Sequence, residues 1–245
     1  MVEMNKLVWK IGGEAGYGIM STGLMFAKAC LRGNLHIFDY IEYPSLIRGG
    51  HNNYTVRVEE KEVNCQIQLV NILAALNKET IDLHLQQLTK KGVVIYDNDD
   101  FPIDITKLRN DVSYLHIPLL KIVRDLKAER VMRNNILLGA SFAVVSYDFA
   151  IIESIIKDSF KGKGEEIINQ NIALAKAGYD YVITNYKEVV KHFPNKLKKI
   201  GENKDHIILT GNEACSLGAL AAGCKFVSIY PMTPISAILS FMEIY

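Results

Sequence analysis

Residues 6–18 read KLVWKIGGEAGYG, and this stretch decides the fold. Its first half places an apolar side chain at every second position, which predicts a strand over residues 6–11. The glycines predict a tight loop, and the apolar pattern after them predicts a helix over residues 18–31. A strand, a loop and a helix in this order can hold a phosphate on backbone N–H groups at the start of the helix. The loop glycines concerned are Gly13, Gly16 and Gly18.

The loop does not match the common nucleotide-binding fingerprints. Ser21 occupies the position of the third glycine in the dinucleotide pattern G-x-G-x-x-G. Asp39 lies where an acid could bind a ribose, but Tyr40 and Ile41 follow it instead of a loop. The Gly-Lys-Ser/Thr of a Walker A loop is also missing from the sequence. We therefore expect no tight binding of NAD or flavin, while a nucleotide-binding dehydrogenase remains an alternative on the loop alone.

Strand and helix patterns alternate along the rest of the first 180 or so residues, which predicts an α/β domain. Helices between most of the strands predict parallel neighbours, and the adjacent strand patterns within residues 53–74 predict a mixed sheet. Further strands are predicted at 35–41, 53–57, 62–66, 69–74, 92–97 and 113–117. Further helices are predicted at 78–88, 118–127, 135–145, 149–160 and 164–177.

Composition narrows the functional classes. The chain has 245 residues, of which 49% are apolar and 22% charged, as in ordinary globular proteins. A net charge of +1 with scattered basic residues gives no nucleic-acid-binding face, and no apolar run approaches a membrane span. We expect a cytoplasmic protein. The four cysteines have no C-x-x-C spacing, so the sequence predicts no zinc or iron–sulfur site in this chain.

A second group of functional candidates lies in residues 42–52, which read EYPSLIRGGHN. Arg48 offers a forked guanidinium, and Gly49 and Gly50 have no Cβ to keep the backbone away from an anion. The pattern therefore indicates an anion-binding loop. A structural loop explains it equally well, with Arg48 paired to a nearby acid such as Glu42 and the glycines supplying turns.

A third group lies near the end of the sequence. Residues 211–224 read GNEACSLGALAAGC, which predicts a helix, and a strand is predicted to lead from it into YPMTP at 230–234. Pro231 and Pro234 restrict φ on either side of Thr233, so the threonine hydroxyl is held at the end of a strand. Open α/β sheets bind substrates at such strand ends. The alternative is a proline-rich turn in which the threonine caps a helix.

Composition also divides the chain. Residues 191–205 contain Pro194, Gly201 and a run of lysines, a composition typical of an exposed linker. We expect one compact domain over residues 1–190 and the first elements of another over residues 206–245. The apolar run at the C-terminus has no helix stop signal, so we expect the second domain to be truncated here and to pack poorly alone.

These motifs together resemble those of the 2-oxoacid:ferredoxin oxidoreductases. The motifs similar to the γ domain are GGxxGxG at 12–18, YPSxxRGGHN at 43–52, NNILLGA at 134–140, and Asn171 with Ala175 and Gly178. GNEA at 211–214 and YPMTP at 230–234 resemble the opening of the pyrimidine-binding α domain. The resemblance implies a three-layer γ domain with a mixed, largely parallel sheet, followed by the first elements of an α/β thiamine-diphosphate domain of the pyrimidine type. The order γ then α is that of the fused α-chain type, often assigned to 2-oxoglutarate or general 2-oxo acids.

The resemblance also implies a reaction and a set of partners. In the family, thiamine diphosphate adds to a 2-oxo acid, CO2 leaves, electrons pass through iron–sulfur clusters to ferredoxin, and coenzyme A takes the acyl group. A partner β subunit holds thiamine diphosphate, Mg²⁺ and a [4Fe-4S] cluster, so this chain is expected to bind no metal and to be inactive alone.

The same resemblance assigns roles to residues of this chain. Thr233, with Tyr230 and Pro231, is implied to bind the carboxylate of the 2-oxo acid. Ile235 and Ala237 depart from the small polar residue and the acid that are usual at these positions, which leaves the particular 2-oxo acid open. A non-catalytic assembly subunit remains an alternative. The residues implied to lie near coenzyme A are Gly13, Gly16, Gly18, Arg48, Gly49 and Gly50.

Overall fold

The computed structural model describes residues 2–44, 49–203, 206–230, 232 and 235–244. The chain forms two compact units, residues 1–203 and residues 204–245. Over these described ranges, no helix is both long enough and apolar enough to cross a membrane.

The first unit contains all the strands of the described chain. They are β1 (Glu3–Met4), β2 (Lys6–Glu14), β3 (His36–Glu42), β4 (His51–Glu59), β5 (Val70–Ala75), β6 (Leu88–Tyr96), β7 (Ser113–His116) and β8 (Asn195–Lys196). Six of them form one sheet in the order β3-β4-β2-β5-β6-β7. Strands β2, β5, β6 and β7 are parallel neighbours, and β4 is antiparallel to both β2 and β3. The mixed, largely parallel α/β fold predicted from the sequence is therefore confirmed.

Seven helices of the first unit surround this sheet within the described residues. They are α1 (Ile19–Arg32), α2 (Lys78–His84), α3 (Leu119–Asp125), α4 (Arg133–Val144), α5 (Phe149–Ser159), α6 (Glu165–Asn185) and α7 (Lys187–His192). The predicted strand at 62–66 is wrong, because these residues form a loop. Strand β4, which precedes the loop, already has β2 on one edge and β3 on the other, so it offers no free edge for another strand.

Alternate side chains of β2 pack against helices on the two faces of the sheet. On one face Trp9 stacks on Phe26 of α1 at 4.2 Å, and Phe26 stacks on Phe142 of α4 at 4.4 Å. On the other face Val8 belongs to a core that includes Ile81 of α2. The alternation that predicts the strand therefore places the sheet between two helical layers, which gives the three-layer arrangement.

Helices α4 and α6 cross with their backbones in close contact. A Cβ on Gly139 would overlap the carbonyl of Ala175, and a Cβ on Gly178 would overlap the carbonyl of Ile136. Beside these glycines, the Asn135 side chain donates a 2.7 Å hydrogen bond to the Asn171 side chain. Four residues of the NNILLGA motif and its partners are thus accounted for by helix packing: Asn135, Gly139, Asn171 and Gly178.

The start and the end of the first unit are joined. Strand β8 pairs in parallel with β1, and Asn195 donates a 2.8 Å hydrogen bond to the carbonyl of Lys6. Phe193 and Leu197 are each 3% exposed. The sequence predicts an exposed linker here, but residues 193–197 belong to the folded unit because their apolar side chains are buried and their backbone is paired.

The second unit contains two helices in its described part, α8 (Gly211–Ala221) and α9 (Ser236–Met242). Thr210 and Glu213 begin α8 with reciprocal side-chain hydrogen bonds to the backbone, a capping box. The strand predicted before Tyr230 is not formed, since residues 224–230 have no regular structure. A strand needs a neighbour, and Phe226 in this segment is 84% exposed.

Candidate functional site

The carboxyl end of strand β2 carries the glycine-rich loop. Strand β2 lies between its parallel neighbour β5 and its antiparallel neighbour β4. Ligands of open α/β sheets bind at this end of the strands, where the direction of the chain connections changes. Gly16 and Gly18 have φ values of 91° and 73°, a region that favours glycine. The backbone conformation of the loop therefore favours glycine at both positions.

The N-terminus of helix α1 lies in this loop. Its first residue follows Gly18, and within the described chain no side chain caps this helix end. The hydroxyls of Ser21 and Thr22 both donate to the carbonyl of Gly18, each at 2.8 Å, and so do not occupy the backbone N–H groups of this helix end. The first turn contains no acid. A helix end without a side-chain cap, together with the helix dipole, favours an anion here.

The start of helix α4 forms the floor beneath the loop. Asn134 donates to the carbonyl of Gly18 at 3.2 Å. The buried guanidinium of Arg133 lies 4.6 Å from the centre of the Tyr17 ring and 2.5 Å from the carboxylate of Asp100. Sequence reasoning missed Arg133, although a charged residue at the beginning of a strongly apolar helix is a signal that could have found it.

Gly49 and Gly50 lie next to this edge. Both have positive φ values, 74° and 77°, and they lead directly into β4, whose first residue His51 pairs with Glu14 at the end of β2. Gly13, Gly16 and Gly18 therefore lie on the same edge of the sheet as Gly49 and Gly50. Arg48 lies outside the described residues.

The residues predicted to bind the 2-oxo acid fall in the second unit. Tyr230 is 81% exposed. Pro231 and Thr233 lie outside the described residues, so their assignment stays a prediction.

A buried polar cluster on the α2 face was not anticipated from the sequence. The Lys10 ammonium lies 3.0 Å from Gln87 Oε1, 3.5 Å from His84 Nδ1 and 3.9 Å from the Glu42 carboxylate. The Nε2 atoms of His84 and His51 are 2.8 Å apart. The signal in the sequence was the lysine itself, placed within an alternating apolar strand.

Burial controls the charges of this cluster. The pKa of His84 is lowered to about 4, first by burial and then by the positive charge of Lys10. Burial is also the main cause that lowers the pKa of His51. It lowers the pKa of Lys10 as well, with the Glu42 carboxylate acting in the opposite direction. At neutral pH the cluster therefore contains two neutral imidazoles beside a buried amine.

Asp97, Asp99 and His116 form the one acidic and imidazole cluster of metal-binding size in the described ranges. Its side-chain atoms already accept hydrogen bonds from backbone N–H groups. The two oxygens of Asp97 accept hydrogen bonds from the N–H groups of Asp99 and Leu120, and His116 Nδ1 accepts one from Asn98. The cluster is thus explained as a turn at the ends of β6 and β7.

The fold is a three-layer α/β domain with a glycine-rich loop at the carboxyl end of its central strand β2. The profile of the family described as pyruvate ferredoxin/flavodoxin oxidoreductase matches residues 8–181. The chain belongs to this family, which confirms the resemblance seen in the sequence.

The similar proteins carry related names. The chain is 24% identical to a 2-oxoacid:ferredoxin oxidoreductase subunit alpha of a Sulfolobus species, over 94% of this chain and 41% of that protein. It is 27% identical to the ketoisovalerate oxidoreductase subunit VorA of Methanothermobacter thermautotrophicus, over 72% of this chain and 36% of that protein. The chain thus spans about two fifths of the length of these curated relatives.

Solved structures show the same fold. A 2-oxoglutarate:ferredoxin oxidoreductase from Magnetococcus marinus, with 2-oxoglutarate, coenzyme A and succinyl-CoA bound, is 26% identical with a TM-score of 0.86, over 99% of this chain and 41% of that one. A keto/oxoacid ferredoxin oxidoreductase gamma subunit from Geobacter sulfurreducens is 19% identical with a TM-score of 0.62, over 73% of this chain and 97% of that one. The second likeness concerns the fold alone.

Proposed function

We propose that this chain is part of a subunit of a 2-oxoacid:ferredoxin oxidoreductase. In this reaction a 2-oxo acid and coenzyme A give an acyl-CoA and CO2, and two electrons reduce ferredoxin. The likeness that carries the proposal is the one to the Magnetococcus marinus enzyme, which extends over 99% of this chain and whose structure contains 2-oxoglutarate, coenzyme A and succinyl-CoA. We therefore favour 2-oxoglutarate or a general 2-oxo acid over pyruvate.

The first unit is proposed to lie near the entry of coenzyme A. Its carboxyl edge offers the N-terminus of α1, which no described side chain caps, and open space at Gly16, where a Cβ would meet no described atom within 4 Å. The diphosphate and the 3′-phosphate of coenzyme A are anions of the kind that such a helix end binds. Arg48 is proposed to add a cation to this edge.

A partner β subunit is proposed to hold the redox cofactors. A [4Fe-4S] cluster needs a set of thiolates, whereas no group of metal-ligating side chains in the described residues includes a cysteine, and burial raises the pKa of the Cys30 thiol. The residues present therefore do not fit an iron–sulfur cluster. Thiamine diphosphate, Mg²⁺ and electron delivery to ferredoxin are assigned to the complex with the partner, and this chain supplies binding and orientation.

A charge variant at the start of α1 tests the coenzyme A assignment. Ser21→Asp places a carboxylate in the first turn, where Ser21 is exposed and the helix tolerates an acid. In the complex of the full-length protein with its β subunit, we expect the KM for coenzyme A to rise about tenfold, equivalent to about 1.4 kcal/mol. The KM for the 2-oxo acid should stay unchanged.

The matched control is Ser159→Asp, the same chemical change at an exposed position at the end of α5. It should leave both KM values unchanged. An unaltered KM for coenzyme A in Ser21→Asp, or equal changes in both variants, would show that the edge does not bind coenzyme A. Failure of the complex to reduce ferredoxin with any 2-oxo acid would refute the oxidoreductase itself, and micromolar NAD binding to the chain would favour the dehydrogenase alternative.

A further inference from the structure

Three side chains form a continuous hydrogen-bonded chain beneath the sheet on the α2 side. Lys10 on β2 contacts His84 at the end of α2, and His84 contacts His51 at the start of β4. At the far end of the chain, His51 Nδ1 is buried and has no hydrogen-bond partner among the residues that the structure describes. The Oδ1 atom of Asn53, two residues along the same face of β4, is also buried and has no partner within the described ranges. A buried polar atom without a partner is costly, so the His51 nitrogen calls for a group that would pair with it, whereas the Asn53 oxygen is an acceptor and calls for a donor.

The hydrogen-bonding capacities of the three groups fix the positions of the protons. An ammonium can only donate, so its contact with His84 Nδ1 requires a lone pair on that nitrogen. The proton of neutral His84 is then on Nε2, where it is donated to Nε2 of His51. The proton of neutral His51 is consequently on Nδ1. The unpartnered atom at the end of the chain is therefore a donor.

The Gln87 side chain allows a second arrangement of the imidazole protons. Its Oε1 atom lies 3.2 Å from His84 Nδ1 and could accept a proton from it, which would reverse both imidazoles and leave a lone pair on His51 Nδ1. The same Oε1 atom already accepts from Lys10 at 3.0 Å. The Lys10 ammonium, with only 7% of its side chain exposed, also disfavours a proton on the nitrogen that faces it. Lys10 therefore selects the orientation in which His51 donates.

We propose that the His51 Nδ1–H group is the donor of an oxyanion subsite at the carboxyl edge of the sheet, and that Lys10, acting through His84, is its positioning residue. Its ligand is a phosphate or carboxylate oxygen. Two observations favour an anion: the donor ends a chain that begins at a buried cation, and a Cβ on Gly49, near the same end of β4, would meet no described atom within 4 Å. The acids whose charges reach His51 are Glu42 and Glu79, and Lys10 opposes them.

Nitrogen NMR of the chain with ¹⁵N-labelled histidine tests the proton positions directly. At pH 7.5 the long-range ¹H–¹⁵N pattern should show the proton on Nδ1 of His51 and on Nε2 of His84. Titration with inorganic phosphate, and separately with acetate, should shift the His51 Nδ1 resonance to saturation. The anion that binds more tightly identifies the source of the oxygen. A proton on Nε2 of His51, or no response to either anion, would overturn the proposal.

Lys10→Met separates the positioning role from simple packing. Without the ammonium, His84 Nδ1–H should donate to Gln87, and both histidines should change to the opposite tautomer. Anion affinity at His51 should fall at least tenfold. Lys6→Met removes an exposed lysine from the same strand and should change neither result. Equal loss of affinity in the two variants would assign the effect to net charge and overturn the role of Lys10, as would unchanged tautomers in Lys10→Met.

Discussion

Lys10 is a charged residue in the centre of the sheet. It lies beside His84, whose pKa is lower than that of an ordinary histidine. Since water is excluded, the charge of Lys10 acts on the imidazole through protein, where its effect is stronger than in solvent. The folded chain resists protonation of His84, because burial in the first place, and the charge of Lys10 in the second, lower its pKa to about 4.

Acid should weaken the fold through His84. The unfolded chain takes up a proton near pH 6.5, whereas the folded chain does so only near pH 4, so the free energy of unfolding falls as the pH drops between these values. We expect a loss of about 2 kcal/mol between pH 7.5 and pH 5 from this residue. In His84→Gln that part of the pH dependence should disappear. Urea unfolding at the two pH values measures it.

His192→Gln, at an exposed position, provides the control and should retain the full pH dependence. If His84→Gln and the unaltered protein lose the same stability on acidification, His84 is not the group responsible.

Thr233 carries the prediction for substrate binding. Removing its hydroxyl in Thr233→Val keeps the shape of the side chain but takes a donor from the proposed carboxylate, which should cost about 1.5–3 kcal/mol. In the complex with the β subunit, kcat/KM should fall roughly ten- to a hundredfold for every 2-oxo acid tested, because all share the carboxylate. An unchanged kcat/KM, or a loss of stability that parallels the loss of activity, would make this threonine a structural cap.

The sequence predicted only part of the candidate site. Gly16 and Gly18 could be found because a loop between a strand and a helix leaves a local pattern. Lys10 and His84 could not, since they are 74 residues apart and only the pairing of strands and the position of α2 bring them together. No spacing rule encodes such a contact.

At the scale of the elements, α4 and α6 depend on two glycines. A Cβ on Gly139 would overlap the backbone of Ala175, so Gly139→Ala must move the helices apart. Overpacking of this kind costs about 1–3 kcal/mol, which outweighs the gain in helix propensity from alanine. We expect the variant to unfold at lower urea concentration and a lower Tm.

Gly218→Ala serves as the comparison, because Gly218 lies within α8 and a Cβ there would meet no atom within 4 Å. It should not lower stability. A Gly139→Ala variant as stable as the unaltered protein would mean that the two helices tolerate a wider separation than the structure shows.

The crossing of α4 and α6 also explains why the predicted end of the last helix of the first unit is wrong. The predicted end of the last helix at residue 177 precedes Gly178, but α6 continues to Asn185 because this glycine packs against the carbonyl of Ile136 instead of ending the helix. The sequence patterns located the strands of the large sheet, whereas the predicted strands at 62–66 and before Tyr230 lacked a free partner edge. The local sequence pattern indicates whether a segment favours a strand or a helix. Whether a strand actually forms depends on a neighbouring strand with a free edge.

At the scale of the whole molecule, the division into two units predicts the pattern of proteolysis. The backbone N–H of Ile200 still donates to the carbonyl of Gly33 in the first unit, at 3.0 Å. We therefore expect limited proteolysis to cut first between residues 201 and 210, which mass spectrometry of the fragments would identify. Early cuts at 191–198 would instead favour the exposed linker predicted from composition, and would contradict the burial of Leu197.

The pairing of β1 with β8 has a mechanical consequence. Because the two strands are parallel, a pull on the start of the first unit and on the chain that leaves it would draw them along each other in opposite directions. Their hydrogen bonds, together with that from Asn195 to Lys6, would then carry the load at the same time instead of opening one after another. Tension on the chain that follows β8 would act first on the hydrogen bond from Ile200 to Gly33 and then on these paired bonds, which resist it together at the edge of the first unit.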